Sequence, residues 1–228
     1  MFASQRLMGA PAKVTPEVAY QGRTIDTATT ASYTFTDQPF GVADTNRRAI
    51  AVVHTSVNAS SSDVRQANVT IGGITATQLA SAVNLTTDTL EISVWGVDLP
   101  TGTTATVVVG HTGSENHDHC SCSTYRVISS ELAVSDSGTH VSTATCTVDV
   151  NVATDGVVIA GYIATTATTA TTWTGNSGLT LDYDVNNSDG DAEREAGSSG
   201  GSLVADTTFT VAAANSGSDN ALAVVAWN

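Results

Sequence analysis

No stretch of this chain carries a sustained helical stripe, whereas short runs of Val, Ile, Thr and Ala separated by turn residues recur from Ser32 to the end. A period near two places alternate side chains on opposite faces of a strand, and a period near 3.6 would place them on one face of a helix. Tyr33-Thr34-Phe35-Thr36 alternates before the turn at Asp37 to Gly41. Ala49 to Val57 is long and strongly apolar, as expected of a central strand covered on both faces. Gly72-Gly73 between Val69-Thr70-Ile71 and Ile74-Thr75-Ala76-Thr77 is a hairpin signature. Leu90 to Trp95 alternates, so Leu90, Ile92 and Val94 share a face. Further strands are expected at Ala105–Val109, Val127–Val134, Thr145–Val152 and Val157–Ala160. Leu179–Tyr183, Phe209–Val211 and a closing Ala221–Trp227 complete the set, with Thr165–Thr172 unassigned.

About a dozen short strands with regular turn signals predict an all-β, antiparallel β-sandwich of jelly-roll type. No internal repeat of propeller or solenoid kind is visible. Residues 1–30, interrupted by Pro11, Pro16 and Gly22, hold neither period and read as an extended N-terminal arm. Residues 31–228 read as one sandwich domain. An arm of this kind is expected to order on a neighbour or a larger particle.

Composition narrows the partners. The formal charge is −14, from 22 Asp and Glu against 8 Lys and Arg, and only Arg47 and Arg48 stand side by side. Such a surface disfavours nucleic acid and anionic membranes. No apolar run reaches the roughly 18 residues a spanning helix needs. Met1 to Val14 lacks the apolar stretch of a secretory signal, so folding in a cytosol is expected. Three cysteines, Cys120, Cys122 and Cys146, do not suggest a disulfide framework.

Candidate chemistry concentrates in one segment. His111, His117, His119, Cys120 and Cys122 offer imidazole and thiol groups, and Cys146 could join them from another strand. A structural metal ion held by His117, His119, Cys120 and Cys122 is the sharpest reading, because zinc-like ions take four such ligands. The competing reading is a polar loop with two reduced thiols. Asp182, Asp184, Asn186, Asp189, Asp191 and Glu193 resemble a calcium loop but break its spacing, and an exposed acidic turn is the simpler account. Gly197-Ser198-Ser199-Gly200-Gly201 matches a nucleophile elbow in letters only, and reads as a flexible turn. Nothing in the sequence pairs two of its Glu residues across a cleft. Trp95, Trp173 and Trp227 read as core anchors before they read as a sugar platform. No catalytic or cofactor-binding residue is assigned, and an enzyme is not expected.

The order of these segments resembles the small β-sandwich structural proteins of tailed bacteriophages and related gene-transfer particles. The likeness runs through Tyr33 to Phe35, Arg47-Arg48-Ala49-Ile50-Ala51-Val52-Val53, Val69 to Thr77, the Trp95 strand and Leu99-Pro100-Thr101-Gly102 to Val107. It continues through Trp173, the acidic strand and the closing apolar strand. It covers roughly residues 30 to 228 as a pattern of strands, and the His111–Cys122 segment lies outside it. The resemblance implies a virion protein made in the host cytoplasm, an accessory decoration, fibre or tail-associated component. Its partners would be capsid or tail proteins, and it would form homo-oligomers, trimers being favoured. A receptor- or glycan-binding adhesion module of a phage tail or bacterial surface is the alternative.

Overall fold

The computed structural model describes residues 14–57, 65–85, 89–112, 117–129, 133–165, 167–175, 178–187 and 193–228. Among them there is no helix, and every strand pairing is antiparallel. The first half of the chain forms β1 (Glu17–Asp26), β2 (Ser32–Pro39), β3 (Arg47–Val57), β4 (Gln66–Ile71) and β5 (Ile74–Thr75). It continues with β6 (Thr77–Asn84), β7 (Thr89–Asp98), β8 (Thr104–His111) and β9 (His119–Ile128). The second half forms β10 (Asp136–Ser142), β11 (Cys146–Val152), β12 (Gly156–Ala164) and β13 (Thr172–Gly175). It ends with β14 (Thr180–Asn187), β15 (Glu193–Leu203), β16 (Asp206–Ala214) and β17 (Asn220–Trp227).

These strands make four sheets in four layers. The first outer sheet runs β2-β8-β4-β5 and the first inner sheet β1-β9-β3-β7-β6. The second inner sheet runs β10-β17-β12-β15-β14 and the second outer sheet β11-β16-β13. Three apolar clusters glue the layers. Tyr33, Phe35, Val107 and Trp95 fill the first outer gap. Ile50, Ile92, Ile159 and Trp227 fill the gap between the inner sheets, and Val150, Tyr162 and Phe209 the second outer gap. Each large side chain so buried contributes about 1.5–3 kcal/mol.

Sequence patterning explains the layering. The inner sheets are covered on both faces, and their middle strands β3 and β12 are buried at every position, in keeping with the apolar runs Ala49–Val53 and Val157–Ala160 at their centres. In β7, Leu90, Ile92 and Val94 turn toward the second half while Trp95 and Val97 turn toward the first outer sheet. The outer strand β11 is buried and exposed by turns, one face on the core and one in water. Gly72 and Gly73 both have positive φ, 61° and 77°, which a two-residue hairpin between β4 and β5 demands. Arg47 does not face solvent: its guanidinium donates to the carbonyls of Leu99 at 2.6 Å, Thr101 at 2.6 Å and Gly41 at 2.8 Å, tying two loops to the head of β3.

The two halves share one topology. With β5 set aside, the order β1-β9-β3-β7-β6 with β2-β8-β4 becomes β10-β17-β12-β15-β14 with β11-β16-β13 when each strand is replaced by its successor in the second half. The expected sandwich over 31–228 is therefore built from two consecutive sandwiches of one design. Register sets the equivalent residues. Asn84 pairs with Leu90 as Asn187 pairs with Glu193, and His54 pairs with Ile92 as Ile163 pairs with Glu195. Leu90 thus corresponds to Glu193, Ile92 to Glu195 and His54 to Ile163. The halves meet with the strand order reversed: β1 packs across from β15, and β6 across from β10 and β17. Each presents the same face to the other, as in a symmetric dimer. On the axis of such a contact a residue meets its own equivalent. Val52 and Gly161 do so, for a Cβ on Gly161 would stand 2.6 Å from Cγ1 of Val52.

Three expectations change. The second part of the expected arm is β1, hydrogen-bonded along β9 from Glu17 to Asp26, while residues 1–13 lie outside the described residues. Cys120 and Cys122 lie in a strand and not in a loop, because β9 inserts between β1 and β3. The Gly197–Gly201 run is also strand, inside β15. Its glycines are needed for close approach: a Cβ on Gly197 would overlap the ring of Tyr183, and one on Gly200 the carbonyl of Gly178.

Candidate functional site

Strand alternation takes the proposed metal ligands apart. On β9, Tyr125 and Val127 point between the inner sheets, and so do His119, Ser121 and Ser123 by the period of two. Cys120 and Cys122 point the other way, into the first outer core. Burial pushes both thiols up, Cys122 to about 12. Cys146 is two layers distant in the second outer core. His117 stacks on His111 with ring centroids 3.6 Å apart, and its carbonyl accepts from the Tyr33 hydroxyl at 2.9 Å. Among the described residues no group of three or more His, Cys, Asp or Glu is arranged to hold a metal ion.

The acidic segment disperses as well. Asp184 accepts from Arg194 Nε at 2.5 Å, Glu193 turns inward, and Asp189 and Asp191 lie outside the described residues. Trp95 and Trp227 are buried, and Trp173 packs edge-on to Tyr162 at 6.3 Å. All three anchor cores.

What the fold does assemble is a buried ion cluster between the two halves. Glu193 and Glu195, two apart on β15, both face His119. Its Nδ1 lies 2.8 Å from Glu193 and its Nε2 2.9 Å from Glu195. Arg23 on β1 reaches Glu195 through Nη2 at 2.7 Å and Nε at 3.1 Å. Asn187 on β14 accepts from Arg23 at 3.0 Å and donates to Glu195 at 2.7 Å. Ser121 donates to Glu195, and Ser56 lies 3.0 Å from His119 Nδ1. His54 sits behind Glu195 at 3.7 Å, with Tyr183 and Ser121 each 3.4 Å from its ring nitrogens. Both cations come from the first half and both carboxylates from the second.

Electrostatics follow from this enclosure. Burial pulls His119 down, but hydrogen bonds and charge from Glu193 and Glu195 outweigh it and hold the imidazolium up to about 10. Burial pushes Glu195 up, and His54, Arg23 and His119 together reverse this and keep its carboxyl well below the usual range. His54 goes the other way: burial lowers it to about 4, so it is neutral at pH 7. Glu193 is raised, by burial first and against the pull of His119. With both nitrogens of His119 engaged and Glu195 fully buried, the group is arranged as a lock between layers. Removing one member would strand charge in the interior.

The sequence carried a faint signal of this site. Polar residues two apart on a strand whose other face is apolar, such as His119 and Ser121 beside Cys120 and Cys122, mark a polar patch inside a core. Arg23 had no such signal, because its strand lay in a segment without period. Another buried carboxyl, away from this cluster, is Glu91, which accepts from the Gln66 amide at 2.6 Å and from Ser81 at 2.9 Å, and burial raises it to about 7.

Comparison with protein-family models, with curated proteins and with solved structures finds no match to this chain.

Proposed function

We propose that this protein is a non-enzymatic structural component of a tailed-phage particle, an accessory decoration, fibre or tail-associated protein made in the host cytoplasm. One observation carries the reading. The strongest charged and acid–base groups are spent against one another between the halves, leaving two sandwiches fixed face to face with their outer sheets directed outward. Those outward faces are polar and small: Thr34 and Thr36 on β2, and Thr147, Asp149 and Asn151 on β11, are exposed. A rigid body with such faces is suited to presenting surface. The strand-order resemblance supplies the particle. Other virion proteins would be the partners, with trimers of this chain favoured, and stable contacts of this kind cover about 1,600 Å² in total.

Gold-labelled antibody against the purified protein tests the reading on particles from the source culture. Label on heads is the result expected of a decoration protein. Label on tails would make a fibre role, with receptor or glycan recognition, the working model. Bare particles beside labelled cells would overturn the virion assignment. The arm is tested by deleting residues 1–13, because removal of the whole segment 1–30 would also take away β1 and Arg23. The shortened protein is expected to fold and to be lost from particles.

A further inference from the structure

A chain built from two units of one topology faces a problem of recognition. The same inner face that joins the first half to the second could join two first halves, or two second halves, from different copies. Burial of apolar area by itself does not distinguish these pairings, because it is non-directional; the small Gly161 opposite Val52 on the axis adds a difference of shape.

Each inner face carries two patches. On the first half, the β1/β9 patch holds Arg23, His119 and Ser121, and the β6/β7 patch holds Asn84, Leu90 and Ile92. On the second, Ala221 occupies the place of Ser121, and Asn187, Glu193 and Glu195 occupy the places of Asn84, Leu90 and Ile92. Reversed strand order sets the β1/β9 patch of one half against the β14/β15 patch of the other. Within the chain, cations meet carboxylates, while Leu90 and Ile92 share an apolar cluster with Ala221 and Ala223. Two first halves would bury Arg23 and His119 against Leu90 and Ile92. Two second halves would bury Glu193 and Glu195 against Ala221. Either arrangement leaves charge in the interior without a counter-ion, which is far costlier than a paired one.

We propose that this segregation of charge, both cations on one half and both carboxylates on the other, is the recognition element of the interface. It makes each half a partner for the other and a poor partner for its own kind. The ion cluster thus governs which surfaces join when many copies fold together, independently of what the outer faces bind.

The residue on the axis supplies a reporter. Val52 faces Gly161 within the chain, so two Val52 positions approach each other only when two first halves pair. Full-length Val52→Cys, oxidised at a series of concentrations and mapped by peptide mass, is expected to give background cross-linking between copies through the introduced thiol. The native cysteines are buried and free. Adding Arg23→Met, His119→Leu, Glu193→Leu and Glu195→Ile makes both ends apolar, and cross-linking should rise at least about tenfold, the change that about 1.4 kcal/mol in pairing produces. A second variant, Leu90→Glu with Ile92→Glu, writes the carboxylates into the first half and makes it complementary to itself. It should raise the same cross-link even if the apolar variant fails to fold. Cross-linking above background in either variant supports the proposal. Background in both, with a cooperative melting transition retained, overturns it.

Discussion

At one end of the interface between the halves, Glu195 lies against Arg23 and His119; at the other, Ile92 holds the equivalent position within an apolar cluster that includes Ile163, Ala221 and Ala223. Backbone, register and burial are alike at the two ends, and chemistry is not. One end joins the layers by charge-assisted hydrogen bonds among Arg23, His119, Asn187, Glu193 and Glu195. The other joins them mostly by removing methyl and methylene groups from water, with one hydrogen bond from Asn84 to the Asn220 carbonyl at 3.2 Å beside them. The apolar end tolerates trimming, because a lost methyl group costs its transfer energy and a small cavity. The ionic end is less tolerant, since each charged member is the counter-ion of another.

Truncation at both ends in parallel should separate them by stability. Glu195→Ala leaves the buried His119 and the partly buried Arg23 without their shared carboxylate and should cost about 3–5 kcal/mol in urea unfolding. Ile92→Val at the equivalent position should cost about 0.5–1.5 kcal/mol. Equal losses would mean that the ionic end is hydrated and relaxed in solution. Between the two ends lies Gly161, whose added Cβ would crowd Ile92 and Val52. Gly161→Ala should destabilise by about 1–3 kcal/mol through overpacking. A neutral result would mean that the inner sheets meet less closely at the axis.

The remaining effect is a slope with pH. His119 is held up to about 10 in the folded protein against 6.5 when free, so its contribution is complete below pH 6.5 and is lost as pH rises toward 10. Between pH 7 and 9 the folded state keeps a proton that the unfolded chain has released. Stability should fall there by at most about 1.4 kcal/mol per pH unit. His119→Gln should be less stable at pH 7 and lack this slope. On the acid side, Glu195 is depressed and His54 is lowered to about 4, so both contributions are lost as pH falls, His54's between 6.5 and 4. Stability measured at several pH values should therefore peak near neutrality, and a flat alkaline limb in the unaltered protein would dissolve the ion pair around His119.

Much of the fold was legible because its signals are local. The apolar runs Ala49–Val53 in β3 and Val157–Ala160 in β12, the alternation of Leu90, Ile92 and Val94, and the Gly72-Gly73 turn each state a strand's burial or its end without reference to any other strand. Three segments misled for a physical reason. β1 is an edge strand of mixed, half-buried residues, so it shows no clean period. β15 runs through glycine and serine because the rings of Tyr183 and Tyr125 need the room, which is a property of its neighbours. The His119–Cys122 run looked like one cluster because adjacency in sequence says nothing of which side chains share a face until a strand is assigned.

That the chain is all-β, where most strands lie and which are covered on both faces follow from period and turn chemistry, which act over a few residues. The meeting of two sandwiches of one design through the same face arises only once the chain has folded. Folding likewise brings Arg23, His119, Glu193 and Glu195, up to 172 positions apart, into one ion cluster. Those outcomes depend on which strands pair and how layers stack, and long-range pairing leaves no mark on the local pattern.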